Sequence, residues 1–297
     1  MEIKVKRITQ FKSQLKQYRK QEKILLPIFH IILLLLAIYA MLPIIFVLLN
    51  SLKGVDDYYT NTLGFPKVMM WKNYANALKI TYRNTSIFGM LFNTIIFVAT
   101  YSVANIMASL FTAYALARFD FIGKKFIYAL AVVIQIIPIF GSTGAAYILQ
   151  TNLGLIDNRG LSWITALNGF DYAFLIFHSY LVGIDKSYSE AAEMDGASKL
   201  TIMFKIMVPM VIPSMMILWL SSLIGFWNNY TSPLIYWPNH PTLSTGLYNL
   251  KSLASYIEGG TTTYFAAVVI ALIPVTLLFV GTQKWIFNIK VDGGLKG

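Results

Sequence analysis

The sequence predicts an all-α polytopic membrane protein with six transmembrane helices, and three observations carry that expectation. Hydrophobic residues make up 57% of the 297-residue chain against 12% charged, with a mean hydropathy of +0.61. A water-soluble core of this size could not hide so much apolar surface. Six apolar runs are long enough to cross roughly 30 Å of hydrocarbon as helices. Finally, the lysines and arginines sort the connecting loops into two sets.

Taken in order, the spans fall near residues 24–52, 92–116, 126–149, 163–182, 204–227 and 262–285. The first follows a basic region and so has the outline of a secretory signal. It is too long for one and no A-x-A site follows, which predicts a retained anchor. Ahead of it, residues 1–23 form a basic N-terminal segment in which Val5, Ile8, Phe11, Leu15 and Tyr18 recur at three- and four-residue steps. That pattern suits either a helix lying among the headgroups or a solvated basic tail. Residues 24–297 form one membrane domain. Pro138 in the third span, Pro209 and Pro213 in the fifth and Pro274 in the sixth are expected to bend their helices, as pivots or as static packing features.

Seven basic residues, Lys53, Lys67, Lys72, Lys79, Arg83, Arg159 and Lys251, lie in loops on one side, and the rest of the 24 lysines and arginines lie on the other. By the positive-inside rule both termini are cytoplasmic, in the plasma membrane, and the net charge of +11 is mostly a topological signal. It is not a nucleic-acid footprint, because no soluble domain is present to offer a groove.

Several chemistries are excluded by what the chain lacks. Cysteine is absent, and His30, His178 and His240 are too scattered to suggest a metal site. There is no GxxxxGK[ST], so no nucleotide site belongs to this chain. The acids are expected in loops or near span ends, and no internal repeat is evident. An ion-coupled carrier normally needs ionisable groups inside the membrane, at roughly 2.5–3.5 kcal/mol each, and two related halves. Asp171 and His178 share a helical face in the fourth span, but two turns, on the order of 10 Å, separate them, too far for joint acid–base work. No catalytic residue is assigned, and His178 and His30 are read as histidines that donate to a neighbouring helix.

One cytoplasmic stretch stands out, EAAEMDGASKLTIMFKIMVPMVIP at residues 190–213. Ser187-Tyr188-Ser189-Glu190 has the S-x-x-E form of a capping box that would start a short helix. Ala191, Ala192, Gly196 and Ala197 leave little side-chain bulk, and Asp195-Gly196 suits a left-handed turn. Ser198 can cap a second helix running into the fifth span, with Lys199 on a solvated face. Two short helices bent at Gly196 are expected, either docking into a groove of another protein or forming an ordinary compact loop.

This stretch resembles the EAA-x3-G-x9-I-x-L-P signature of permease subunits of binding-protein-dependent ABC importers. Glu190-Ala191-Ala192, Gly196, Ile206 and Pro209 fall in register, with Val208 where leucine is usual. AYALARFDFIGKK at 113–125, WKNYANAL at 71–78, FWNNYTSPLIYWP at 226–238 and QKWIFNIKVDGGLKG at 283–297 are similar to segments of the carbohydrate-type branch, in particular the smaller permease of the maltose system. The resemblance implies a type I ABC importer permease fold with a coupling loop at about 184–205. It implies that Glu190, Ala191, Ala192, Asp195, Gly196, Ala197, Ile206 and Pro209 couple to the ATPase. The implied partners are a second homologous permease, two ATPase subunits that hold ATP-Mg, and an extracytoplasmic solute-binding protein. The implied cargo is a sugar or oligosaccharide. No cofactor is expected on this chain itself. The alternative is a self-contained channel or carrier for a small solute.

Sugars are held by hydrogen-bonding fans and by aromatic faces. Asn93, Gln135, Tyr147, Asn228, Asn229 and Tyr230 are the candidates to line a sugar path, with Asn105 a further polar residue in the second span. Most such residues in a helical bundle are instead interhelical contacts worth about 0.6 kcal/mol apiece. The loop at 239–260 resembles the segment that reaches toward a docked binding protein.

Overall fold

The computed structural model describes residues 22–137 and 141–287. The amphipathic reading of residues 1–21, Pro138 and the tail at 288–297 lie outside the described residues. The helices are α1 (Glu22–Ser51), α2 (Val55–Thr60), α3 (Lys72–Lys79), α4 (Ile87–Arg118), α5 (Lys124–Ile136) and α6 (Ser142–Asn152). After a 3-10 turn at Ser162–Ala166 come α7 (Tyr172–Gly183), α8 (Ser187–Met194) and α9 (Lys199–Ile202), then a π turn at Met203–Met207. The chain continues through α10 (Val208–Asn228), α11 (Thr231–Tyr236) and α12 (Leu243–Ser252), a 3-10 turn at Ala254–Tyr256, and α13 (Gly260–Phe287). A two-stranded hairpin, β1 (Thr81–Tyr82) with β2 (Thr85–Ser86), precedes α4.

Four helical stretches are long and apolar enough to cross a membrane, Leu25–Ser51, Ile87–Arg118, Lys199–Asn228 and Gly260–Gln283. They match the first, second, fifth and sixth expected spans. The third and fourth differ from expectation because each is broken near its middle. In the third, Ile137 turns extended at ψ 112, as a residue ahead of a proline must, and Gly141 takes the left-handed φ of +84 at the start of α6. In the fourth, a 3-10 turn and a loop replace the outer half, and only the 12 residues of α7 are helical. Asp171 starts α7 by accepting the Phe174 N–H at 3.0 Å. By contrast, α10 and α13 run through Pro213 and Pro274 without a break.

Lipid tails are as apolar as leucine, so helices in a bilayer are held by close packing and polar contacts rather than by the hydrophobic effect. The packing of α7 on α4 follows this rule. Ala113, Ala173 and Ser109 are buried between them, and a Cβ at Gly169 would fall 2.2 Å from Thr112 Oγ1, so only glycine lets the loop approach α4 so closely. Phe174, Phe177 and Leu181 repeat on one face of α7 and are fully buried with Met207 of the π turn and Val211 of α10.

Above the bundle sits an outer cap. In the hairpin, Arg83 and Asn84 both take positive φ, the conformation a two-residue turn needs. The Asn73-Tyr74 pair pins α3 to the end of α1. Asn73 Nδ2 donates to the Ser51 and Lys53 carbonyls at 2.9 and 2.8 Å, and the Tyr74 and Ser51 hydroxyls bond at 2.7 Å. Trp237, fully buried, packs edge-on against Phe97 at 5.3 Å and donates Nε1–H to Ser162 Oγ at 2.9 Å.

Candidate coupling site and transport path

The turn around Gly196 forms as two short helices. Its start differs from the expected capping box: α8 begins after Lys186, and it is the Asp185 carboxylate that accepts the Ser187 N–H at 2.8 Å. That bond, aided by the Ser187 hydroxyl, holds the Asp185 carboxyl below its ordinary range. The amides that Ser187 would have capped, the Ser189 and Glu190 N–H groups, go instead to the Lys186 carbonyl at 2.9 and 3.0 Å, while Asp185 takes the Ser187 N–H itself. Glu190 remains in the first turn of α8, where a negative charge suits the helix N-terminus.

The end of α8 is a Schellman turn. Ala197 N–H donates to the Ala192 carbonyl at 2.9 Å and Gly196 N–H to that of Glu193 at 3.0 Å, with Gly196 at φ +79. The apolar contact that accompanies this motif is Ala192, buried, with Ala197, half-buried, on the same core cluster. Ser198 then caps α9 by accepting the Thr201 N–H at 3.2 Å, as expected. The π turn that follows leads into Pro209, which has no N–H to give the helix ladder. Ile206 is half-buried on the core, whereas Pro209 is exposed.

Two bonds moor the turn to the C-terminal end of α4. Arg118 Nη2 donates to the Ile184 carbonyl at 2.9 Å, and Tyr114 Oη to that of Lys199 at 3.3 Å. Between them lies a cleft of about 200 Å³ lined by charges of both signs, Arg118, Lys124, Lys186, Glu190, Glu193 and Lys199. Lys199 is not simply solvated, because it pairs with Glu193 across the turn. Glu190 has no ion pair among the described residues and is exposed, as are Ala191 and Asp195. Met194 at 88% and Leu200 at 68% exposure flank the bend, an apolar surface left uncovered among the described residues.

The candidate path residues are scattered. Asn93 is buried, donating to the Pro241 carbonyl at 3.0 Å and accepting from Arg159 at 3.1 Å. Asn228 bonds back to Ile224, and Asn229 caps α11 through the Ser232 N–H. Tyr230 stacks on Tyr248 at 4.1 Å, and Tyr147 lies parallel to Tyr236 at 6.5 Å. Gln135, at the end of α5, donates to the Asp171 carbonyl at 3.0 Å.

That last bond leads to a cluster the sequence reading missed. Asp171 accepts from Asn105 Nδ2 at 3.0 Å and from Ser109 Oγ at 2.8 Å, and Ser222 Oγ donates to Asn105 Oδ1 at 3.2 Å. Asp171, expected within the fourth span, stands in the non-helical segment at the start of α7. The helix-start signal of an aspartate just before an apolar run would have located it. His178 lies apart from it, packed on the Tyr128 ring at 4.6 Å and that of Phe174 at 5.8 Å, and His30 bonds within its own helix to the Leu26 carbonyl.

Broken and continuous helices with an exposed two-helix turn moored at one end of α4 make up this architecture. Residues 105–288 match the family described as binding-protein-dependent transport system inner membrane component, and the chain belongs to that family. It is 28% identical over 282 residues to the arabinooligosaccharides transport system permease protein AraQ of Bacillus subtilis, covering 93% of this chain and 96% of that one. It is 26% identical over 295 residues to the maltose/maltodextrin transport system permease protein MalG of Escherichia coli, covering 94% and 98%. It is 26% identical over 259 residues to the diacetylchitobiose uptake system permease protein NgcG of Streptomyces coelicolor, covering 86% and 84%. Among solved structures, a chain of a bacterial ABC transporter involved in the import of the acidic polysaccharide alginate superposes with a TM-score of 0.70 at 23% identity, over 90% of this chain and 98% of that one. At that identity the likeness establishes the fold.

Proposed function

We propose that this chain is one permease half of an ATP-driven importer of a sugar or oligosaccharide. It pairs with a second, homologous permease, takes its solute from an extracytoplasmic binding protein and is driven by two ATPase subunits that hold ATP-Mg. Both termini face the cytosol, and the broken third and fourth spans each cross the membrane once, giving six crossings. The observation that carries the reading is the α8–Gly196–α9 turn. It is moored to α4, it lies on the lysine-rich side, and its exposed Glu190, Met194 and Leu200 offer a charge flanked by apolar surface. A shape of this kind is suited to insertion in a partner's groove. The carbohydrate class is supported by the solutes named for the relatives, arabinooligosaccharides, maltodextrin and diacetylchitobiose.

Co-expression with a neighbouring second permease, the ATPase and the binding protein, followed by reconstitution, tests the reading. Uptake of a saccharide should require ATP and the binding protein together. The chain reconstituted alone should neither hydrolyse ATP nor conduct ions, and a conductance from the single chain would replace this reading with a channel. Reporters fused after Lys125 or Ser198 should register the cytosol, and reporters within 239–260 the outside.

A further inference from the structure

A collar of chain folds back beside the C-terminal end of α1. Only three residues separate Ser51 from α2, and ring contacts fix where α2 goes. Phe265, on α13, meets Phe46 edge-on at 5.7 Å and Tyr58 at 5.6 Å. Phe46 lies five residues before the end of α1, about 7.5 Å at 1.5 Å per residue, so α2 stands alongside the last turns of the span rather than beyond them. Leu63 continues in the same place. With Leu42, Ile45, Phe46 and Leu49 of α1 it lines a crevice of about 490 Å³. All four belong to the apolar stretch Leu25–Ser51, and Leu42 and Ile45 are themselves exposed, so the crevice is continuous with the apolar flank of the span.

The collar is built inside out for a loop in water. Its apolar side chains point away from the protein, with Leu63 at 84% and Phe65 at 81% exposure and Tyr59, Val68 and Trp71 exposed as well. Its polar groups are used up internally. Lys53, fully buried, donates Nζ to the Asn61 and Thr62 carbonyls. The Thr60 and Thr62 hydroxyls donate to the Asp56 and Tyr58 carbonyls, and Asn61 Nδ2 donates to that of Phe65 at 2.9 Å. The Lys67 N–H goes to the Asp57 carboxylate at 2.9 Å, and the Met70 N–H closes the collar on the Leu52 carbonyl at 2.8 Å. Gly64 makes the tight turn possible, since a Cβ there would fall 2.2 Å from Asn61 Oδ1. A loop in water can leave its carbonyls to solvent, whereas close to hydrocarbon they need partners within the protein.

We infer that residues 55–71 are a membrane anchor, docked on the lipid of the leaflet at the C-terminal end of α1, with Leu63 and Phe65 inserted at the boundary of headgroups and acyl chains and an acyl chain seated in the crevice against α1. In the proposed topology this is the outer leaflet. Aromatic side chains such as Tyr59 and Trp71 are favoured at that depth, and interfacial anchors bury their apolar face about 5–10 Å into the boundary. The occupant follows from where the crevice lies. It is set against the flank of a membrane span, not on the top of the cap where a partner from water would arrive. The anchor also fixes the height of the cap, because Asn73 of α3 bonds the Ser51 and Lys53 carbonyls just where the collar begins. The inference needs α1 to cross the bilayer and does not depend on which solute the chain carries.

The chain has no cysteine, so one introduced thiol can carry a fluorophore that senses its surroundings. Leu63→Cys and Phe65→Cys replace side chains that make little contact with the fold, and Lys251→Cys, exposed on the outer cap, is the aqueous reference. Each is labelled in the importer assembled with cysteine-free partners and reconstituted in phosphatidylcholine brominated either near the headgroup end of its chains or near their methyl end. Probes at 63 and 65 should emit at shorter wavelength than the probe at 251 and lose its quenching by aqueous iodide. Bromine near the headgroup should quench them more than bromine near the methyl end, as the shallow depth of an interfacial anchor requires. Iodide quenching equal to that at 251 would make the collar a solvated loop and overturn the inference. Quenching by neither bromine nor iodide would also overturn it, because a protein surface, that of the second permease or of the binding protein, would then cover Leu63 and Phe65. The importer reading fails separately, through uptake that needs no ATP or binding protein, and such a failure leaves the quenching pattern unchanged.

Discussion

The turn at Gly196 takes its internal shape from hydrogen bonds and one ion pair that span at most six residues, from the Gly196 and Ala197 amides to the Lys199–Glu193 pair, and only its mooring to α4 uses longer ones, of 66 and 85 residues. The outer cap is closed by bonds that span from 75 to 155 residues. Trp237 reaches Ser162, Asn239 reaches Asp157, Asn93 reaches Pro241 and Arg83 reaches Pro238. The first region is thus preformed by its own sequence and presents an open face to a partner. The second exists only when distant segments have already come together, and it closes over α4 and α10. A local device suits a part that must hold its shape while its partner moves, and a long-range one suits a part that ties the spans into one body.

The comparison is broken most severely at Trp237. Trp237→Ala removes a fully buried ring and leaves Ser162 Oγ without its donor, and changes of this kind cost about 3–5 kcal/mol. Thermal unfolding of the detergent-solubilised complex should show a much lower midpoint, with less protein in the membrane. Trp237→Phe should recover part of that loss by keeping the contact with Phe97. A midpoint unchanged by Trp237→Ala would mean that the cap does not tie the spans together.

Glu190→Ala tests the other region, and its outcome reports burial. An exposed pair is worth under about 1 kcal/mol, whereas breaking a pair buried against the ATPase costs about 3–5 kcal/mol. The variant should weaken ATPase association or uncouple hydrolysis from uptake, while the unfolding midpoint and pairing with the second permease stay normal. Retention of the ATPase through purification at wild-type levels, with normal uptake, would place Glu190 outside the contact.

Gly196→Val comes next. A β-branched residue at φ +79 is strained by about 1–3 kcal/mol although the space beside Gly196 is open, so the effect is one of backbone alone. Strain in the Schellman turn should tilt α9 against α8 and lower binding-protein-stimulated ATPase activity without a change of charge. Gly196→Asn should fall between the two, since asparagine tolerates the left-handed region. Equal activity of all three would show that the angle of the bend does not matter to coupling.

Legibility in the sequence follows the same division. Asp195-Gly196 and the Ser198 cap could be read because each depends on residues within four positions, and the four unbroken spans because apolar length suffices to mark them. The capping box expected at Ser187 does not form, since the Lys186 carbonyl takes the Ser189 and Glu190 amides, and spacing alone does not choose between competing acceptors. The third and fourth spans read as continuous because hydropathy averages over the five or so residues where a helix breaks. Residues 168–171 are polar enough to end a helix, but they are flanked by apolar residues on both sides. Asn93 and Asn105 look equivalent as polar residues in the second span. Only the fold separates them, joining the first to Arg159 and Pro241 and the second to Asp171 and Ser222.

The smallest effect is expected at Lys199, the one charged side chain that bridges the two helices of the turn. Its pair with Glu193 is about half exposed on both sides, with side-chain exposures of 58% and 43%. Pairs of this kind contribute roughly 0.2–1 kcal/mol and weaken in salt. The mooring to α4 uses the backbone carbonyl of Lys199, which alanine keeps, and the cap on α9 belongs to Ser198. Lys199→Ala should therefore change uptake by no more than about twofold, and the difference should shrink at high ionic strength. The double variant with Glu193→Ala should be no worse than the single one, because both remove the same pair. A tenfold loss of uptake with Lys199→Ala, in a complex that still assembles and that salt does not rescue, would mean that Lys199 is released from Glu193 to meet the partner. The turn would then be completed by its partner rather than by its own sequence, and its contrast with the outer cap would narrow.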